Sequence, residues 1–522
     1  MGSSHFVPPP LGISEEEAGR RFDALQRGLG EQWKLIRSMN QLEQTMVVVP
    51  SVSVDLDVPA TVLQAYEERL LFLLLLLRKP RAHIIYCTSQ PIQPNVVDYY
   101  LGLLPGVIPS HARQRLVTVP VHDASPRPLT LKILERPRLI ERIRQLIADP
   151  GTTHIVPFNT TRLERDLALR LGIPMYAADP RLLSLGTKSG ARRIFEEEGV
   201  PHALGVQGAR TEAEVVDAIV QLRSRRAGLE QVLVKLDEGV SGMGNATVNL
   251  GGLPRPGDPG ETQAVRERTR GMRLELAGAT VEGFMDKLAG EGGVVEERIV
   301  GDVVRSPSVQ LRITPLGDVE ILSTHDQVLG GSTGQSYLGC RFPADPGYAV
   351  AITHEAAKVG QRLCREGVLG RLAVDFVVVQ RRDGTWDPYA IEINLRKGGT
   401  TIPYLTLEFL TNGRYDPHTG LFTAPSGRHK SYVANDHVES PPFRSINVDD
   451  LFDFVVRHGL HFDHTTQSGV VLHMLSALTE EGRFGLTAVA DSPEDATELY
   501  DRTVATLGFE ADRAGSGVAG ET

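Results

Sequence analysis

The chain has 522 residues, more than one ordinary hydrophobic core accommodates, and its length points to roughly three or four domains or lobes. A composition of 41% hydrophobic and 23% charged residues, with 52 Gly and 33 Pro, is that of a globular protein rich in loops, and a formal net charge of -10 argues against a nucleic-acid binder held by phosphate contacts. Cys87, Cys340 and Cys364 lie far apart without CxxC or Cys/His finger spacing, which indicates neither a disulfide framework nor a zinc site and fits a reducing cytoplasm.

The opening MGSSHFVPPP lacks a basic stretch followed by an apolar core and does not read as a secretion signal. Up to about residue 180, short β-rich runs (TMVVVPS from Thr45, HIIYCTS from His83, RLVTVP from Arg115, THIVPF from Thr153) alternate with helical patterns, a rhythm that predicts a parallel, Rossmann-like sheet. The apolar run Leu70 to Leu77 is far shorter than the ~20 residues of a membrane span and reads as a buried helix. No Gly-x-Gly-x-x-Gly follows the first strand, which argues against a dinucleotide site there.

Over residues 181–300 the helix SGARRIFEEEG, the pair Val200-Pro201, a helix from about Thr211 and the strand QVLVKL from Gln231 predict a small α+β lobe, with GGLPRPGDPGETQ from Gly251 as an exposed loop. From 301 to 412 the runs SVQLRITPLGDVEIL, GRLAVDFVVVQ and YAIEINL, following VVEERIV at Val294, predict an antiparallel sheet carrying polar residues at chosen points. Residues 413–522 open as an irregular Pro-, Gly- and His-containing region and close on the helical DDLFDFVVRHGL, then a strand and a helix. The fold class expected is therefore a multidomain α/β and α+β chain.

Two elements carry chemistry. KLDEGVSGMGNA places Lys235 at the end of a β-rich run, followed by Glu238, Gly239, Ser241, Gly242 and Gly244; such a loop can fold backbone N–H groups over phosphates, and a plain glycine-rich hairpin is the competing reading. Asp375 lies on one apolar strand, and Glu392 with Asn394 lies on the next, where the Glu-x-Asn spacing puts both side chains on one face. Buried carboxylates without a cation are costly, and an oxygen-only ligand set suits Mg2+ or Mn2+. Arg396 and Lys397 come next in the chain, where cations could reach a phosphate or an oxyanion.

The order Lys188, Lys235, glycine loop, VVEERIV, Asp375, Glu392-x-Asn394-x-Arg396 resembles the ATP-grasp superfamily, which includes biotin carboxylase and D-Ala:D-Ala ligase. The resemblance covers roughly Leu182 to Thr401, and the segment before it resembles the pre-ATP-grasp domain. THDQVLGGSTGQSYLGCRFPA from Thr324 and HGLHFDHTTQSGVVLHML from His458 are similar to the peptide ligases typified by that of pheganomycin biosynthesis. The resemblance implies ATP held by Lys188, Lys235 and the loop Gly239 to Gly244. It implies adenine read at Glu296, Glu297 and Ile299, and Mg2+ or Mn2+ on Asp375, Glu392 and Asn394, with Arg396 as the arginine of the family pattern. One departure stands out: the position two residues before the first metal ligand, an arginine in D-Ala:D-Ala ligase, is Ala373 here, and the nearest arginine is Arg371.

The resemblance implies a cytoplasmic ATP-dependent carboxylate–amine ligase working through an acyl phosphate and joining an amino acid to an amino acid or peptide. It also points to a homodimer, and nothing points to nucleic acid or membrane as partner. Arg312 is a second candidate for an oxyanion. His325, Asp326, Gln327 and the turn Gly330 to Gly334 are candidates for substrate contact, and His461 and His464 are weaker ones. A kinase-like or carboxylating enzyme and a non-catalytic nucleotide-binding scaffold are the alternatives.

Overall fold

The computed structural model describes residues 6–39, 44–53, 59–239, 244–276, 278–330 and 336–517. Strands β1 (Gln44–Val49), β2 (Ala82–Thr88), β3 (Leu116–Pro120) and β4 (Thr153–Pro157) pair in parallel in the order β3-β2-β1-β4, as the rhythm of the first segment predicts. Their near-continuous apolar runs meet the demand of a sheet covered on both faces. Val47, Val49 and Ile85 enter one core, while Met46, Val48, Ile84 and Tyr86 enter another. Because β1 sits between β2 and β4, the direction of winding reverses there, and this is the edge at which an open α/β sheet carries its ligand crevice.

The run Leu70 to Leu77 is buried as expected, although it winds as a 3-10 helix, Glu68–Arg78, rather than an α-helix. This helix carries Glu68 into the interior, where Oε2 accepts the Ser476 backbone N–H at 3.1 Å. Burial pushes the Glu68 carboxyl up to about 7. A folded-state value above the unfolded 4.5 means that the native protein holds this proton over pH 4.5 to 7, so the contribution to stability present below pH 4.5 is lost as pH rises through 7. Glu68→Gln keeps an acceptor for Ser476 and removes the ionisation. It is expected to raise the melting temperature at pH 8 and leave it nearly unchanged at pH 5, the difference amounting to at most roughly 3 kcal/mol. Thermal denaturation of both proteins at the two pH values checks this.

A five-stranded sheet comes next, in the order β5-β9-β6-β7-β8: β5 (Gly205–Ala209), β6 (Gln231–Leu236), β7 (Asn245–Asn249), β8 (Arg273–Leu274) and β9 (Gly293–Glu297). Val232, Val234 and Val295 pack on one side with Val215, Ile219 and Leu222 from helix Glu212–Arg225, whose start is fixed by a Thr211/Glu214 capping box. Alternation then turns Lys235 and Glu296 to the opposite face. Residues 251–260 are the largely exposed loop expected, whereas Glu261, Thr262 and Gln263, read as its end, open helix Glu261–Arg270, with Glu261 buried against Arg223.

The third sheet has nine strands: β10 (Val304–Arg305), β11 (Pro307–Ile313), β12 (Val319–Gly330), β13 (Ser336–Phe342), β14 (Gly370–Gln380), β15 (Trp386–Asn394), β18 (Ser431–Glu439), β19 (Gly469–His473) and β20 (Arg483–Ala490). Its order is β10-β14-β11-β12-β13-β18-β20-β19, with β15 on β14, and every named pairing is antiparallel. A hairpin of β16 (Arg414–Asp416) and β17 (Leu421–Thr423) stands apart. The segment after Asn412 is thus more regular than its sequence suggests. In β18 the polar Asn435, Asp436 and His437 interrupt the apolar alternation at a register shift against β20, which removes the period-two signal. Three strands from beyond residue 412 extend the sheet that carries Asp375. A single core cluster joins Tyr86 and Leu101 to Phe342, Phe454 and Phe484. Among the described residues no helix is long and apolar enough to cross a membrane.

Candidate active site

Register brings the acidic residues together. β14 pairs with β15 so that Asp375 lies opposite Glu392 and Ala373 opposite Asn394, and β14 pairs with β11 so that Asp375 also lies opposite Ser308. Asp375 accepts from Ser308 Oγ at 2.6 Å and from Asn394 Nδ2 at 3.0 Å. Burial and the adjacent Glu392 push the Asp375 carboxyl up to about 6. Two carboxylates side by side in apolar strands carry more negative charge than the surrounding hydrogen bonds offset.

Lys188 supplies part of the compensation. Its backbone N–H donates to Asp237 O at 3.2 Å, the Ser189 N–H donates to Asp237 Oδ1 at 2.8 Å, and Thr187 caps helix Lys188–Glu197 through Gly190 N. That anchoring aims Lys188 Nζ at Glu392 Oε2, 2.7 Å away, and at the carbonyl of Gly239, 3.4 Å away. Opposite-charge neighbours, Lys188 first and Arg396 after it, outweigh burial at Glu392 and hold its carboxyl below the usual range. Lys235 pairs with Glu296, which also meets Arg192 Nη1 at 3.4 Å; all three are buried.

The glycine loop has a pinched neck. Leu236 N donates to Gly244 O at 2.9 Å, and a Cβ on Gly244 would lie 2.7 Å from Gly239 Cα. Only glycine lets the two backbones touch here. Ser241 and Gly242 lie outside the described residues, as does the turn from Gly331 to Gly334. Gly244→Ala is expected to spread the neck, raise the KM for Mg-ATP about tenfold, the scale of an overpacking cost, and lower the melting temperature, because the added Cβ meets backbone. Steady-state kinetics against ATP test it.

The neighbouring glutamates of β9 point in opposite directions. Glu296 faces Lys235, whereas Glu297 accepts from Leu204 N at 2.9 Å and pairs with Arg226. Ile299 lies just past the end of β9 and is half-buried, and Glu238 is exposed on the loop. Arg396 is half-buried beside the acidic pair, and its Nη1 donates to Lys397 O at 3.1 Å.

Lys397 is not turned toward the acidic pair. It is buried, its Nζ donates to Pro157 O at 2.6 Å and its amide to Phe158 O, so it ties the loop after β15 to the end of β4. Arg312 is not brought there either. Four residues beyond Ser308 on β11, or ~13 Å along the strand, it pairs with Glu320 and lies 5.6 Å over Trp33. His325 is fully buried, bonded through Nε2 to the Tyr432 hydroxyl at 2.6 Å, and burial pushes it down to about 3. Asp326 accepts from the Tyr348 hydroxyl and Asp345 N, and Gln327 N donates to Ser306 O. His461 and His464 are exposed beside Phe462, in the segment leading to β19. Sequence reading missed Ser308, Asp237 and Arg192. No local motif marks Ser308, whose role comes from register alone, while Asp237 could have been suspected from its place two residues after Lys235.

The site fits a divalent cation in its donor chemistry. Among the described residues no group of three or more His, Cys, Asp or Glu gathers, and the set here is two carboxylates and one carboxamide, hard oxygen donors suited to Mg2+.

Residues 279–418, which include Glu296, Asp375, Glu392, Asn394 and Arg396, match the family described as IQCH-like, ATP-grasp, and residues 450–503 match the PGM1 C-terminal domain. The chain shares its fold with an N5-carboxyaminoimidazole ribonucleotide synthetase solved as an ADP complex, at a TM-score of 0.50 and 11% identity over 90% of this chain and 98% of that one. It also shares it with the biotin carboxylase domain of Hydrogenobacter thermophilus 2-oxoglutarate carboxylase, solved with MgADP, at a TM-score of 0.50 and 13% identity over 88% of each chain. The L-propargylglycine--L-glutamate ligase of Streptantibioticus cattleyicolor is 32% identical over 441 residues, 83% of this chain and 86% of the relative. With that identity spread over most of both chains, and an ATP-grasp match across the strands that hold the acidic pair, the chain belongs to the ATP-grasp ligase family that includes this relative.

Proposed function

We propose that this protein is an ATP-dependent carboxylate–amine ligase that activates a carboxylate as an acyl phosphate and joins it to an amine, with an amino acid on at least one side of the new bond. The observation that carries the reading is the position of Lys188. Its ammonium lies between the carbonyl at the base of the glycine loop and the acidic pair on β14 and β15, where a triphosphate would lie if its magnesium sat on Asp375, Glu392 and Asn394. The relative's name, a ligase of two amino acids, supports the substrate class.

Magnesium bound by those three side chains supplies charge neutralisation for phosphate oxygens during phosphoryl transfer. Lys188 and Lys235 add fixed positive charge on the same side, preorganised by Asp237 and Glu296. Arg396 offers its guanidinium to the carboxylate that attacks the γ-phosphorus and then to the oxyanion formed when the amine adds to the acyl carbon. Gly239, whose carbonyl meets Lys188, and Gly244 hold the base of the glycine loop beside the phosphate position, where exclusion of water protects the acyl phosphate. A division into 1–180, 181–300, 301–412 and 413–522, a homodimer and a cytoplasmic location belong to the same proposal.

The test is ADP release from Mg-ATP over panels of amino acids and short peptides, with mass spectrometry of the products. Substrate-dependent ADP release with a condensed amide is the expected result. A phosphorylated product without condensation would favour a kinase-like activity instead, and ATP binding without turnover a scaffold.

A further inference from the structure

The crevice beside Arg396 holds a second arginine that the ligase chemistry leaves unused. Arg69, on the buried 3-10 helix, stacks on Tyr66 with its guanidinium carbon 3.9 Å from the ring centroid, and lies 5.9 Å from that of Phe158. Phe158 is the residue after β4, and its carbonyl accepts the Lys397 amide at 3.3 Å, so Arg69 and the Arg396–Lys397 pair flank one residue at the carboxyl end of the parallel sheet. Ligands of open α/β sheets collect at such an edge.

Arg69 is held from behind. Nη2 donates to Asp436 Oδ2 at 3.1 Å and Nε to Met474 Sδ at 3.5 Å, while the other Asp436 oxygen meets His473 Nε2 at 3.1 Å. Asp436 and His473 are buried, whereas the Arg69 side chain keeps 12% of its exposure and its Nη1 donates to no described residue. Arg69 and Arg396 are thus two guanidinium groups of like charge on either side of Phe158. Asp436 neutralises one of them. The Asp375–Glu392 pair that offsets the other is the pair a metal would engage. The space between the arginines therefore favours a further anion.

We propose that Arg69 binds the non-reacting carboxylate of an amino-acid substrate, fixing that substrate in the crevice while Arg396 faces its reacting group or its partner's. This rests on the ligase reading for the word substrate; the binding itself does not depend on turnover. Arg69 is in this sense a specificity residue, with Asp436 and His473 as positioning residues behind it.

The experiment measures binding of free L-amino acids and of their α-carboxamides to the full chain saturated with a magnesium complex of a non-hydrolysable ATP analogue, by calorimetry, for the wild type, Arg69→Gln and Arg69→Lys. The expected result is an amino acid that binds the wild type about 10- to 100-fold tighter than its amide, the worth of a charge-assisted pair, a preference abolished in Arg69→Gln and partly kept in Arg69→Lys, with nucleotide affinity unchanged. In turnover the same loss should fall on the KM of that amino acid and spare the KM of ATP. A wild type that prefers no carboxylate over its amide, or a preference that survives Arg69→Gln, overturns the proposal. Failure of the ligase reading looks different: carboxylate-selective binding without any ADP release. Should Arg69→Gln prove unfolded by its melting curve, Arg69→Lys, which keeps the charge beside Asp436, decides the matter, and an unchanged preference there overturns the proposal.

Discussion

Glu392→Gln is expected to lower substrate-dependent ADP release by about 10³-fold, the upper end for losing one preorganised electrostatic group, while leaving the fold intact. The amide has the shape of the carboxylate, so packing in β15 is retained, but it offers a cation no charge and leaves Lys188 without its 2.7 Å partner. The apoprotein should melt near the wild type, because the lost Lys188 pair and a relieved repulsion act in opposite directions. Removing one of two adjacent buried carboxylates relieves the repulsion that, together with burial, lifts Asp375 to about 6. Activity lost with stability kept is thus the signature of a cation-binding pair. A drop of less than tenfold at saturating magnesium would remove Glu392 from the metal site.

Lys188→Met should reduce kcat/KM for ATP by roughly 100- to 1000-fold. The buried ammonium reaches both the Gly239 carbonyl and Glu392, so its loss removes positive charge from the place where the loop and the acidic pair converge. Methionine preserves much of the stem's apolar packing, but Asp375 and Glu392 lose their compensating cation, so the metal-free protein should melt lower and magnesium should restore part of the difference. Raising magnesium should recover little of the activity if Lys188 acts on phosphate directly. Full recovery would instead assign it to shielding Glu392 alone.

Much of this arrangement is legible along the chain because it depends on local pattern. The parallel strands announce themselves as apolar runs between helices, and the Glu392-x-Asn394 spacing puts two oxygen donors on one face whatever the partner strand does. The positions of Lys235 at a strand end and of Gly239 and Gly244 around a loop are likewise local. Arg312 and Lys397 misled because a cation near a site in sequence need not face it: one is spent on Glu320 and Trp33, the other on the Pro157 carbonyl. His325 misled in the same way, being a packed core ring.

Local order along the chain therefore sets the chemistry each strand offers: which residues sit at strand ends, which share a face, and which side chains can neutralise or ligate. Those properties come from the two-residue period of a strand and the ionic character of the side chains. Register and docking belong to the folded molecule. Ser308 reaches Asp375 because β11 pairs with β14 at that alignment; β18 joins the central sheet although its polar residues hide it; and Arg69, Asp436 and His473, far apart in the chain, meet because the N-terminal sheet and the last strands share one core. Such contacts are set by long-range packing that buries apolar faces together, and no short stretch of sequence records which face finds which.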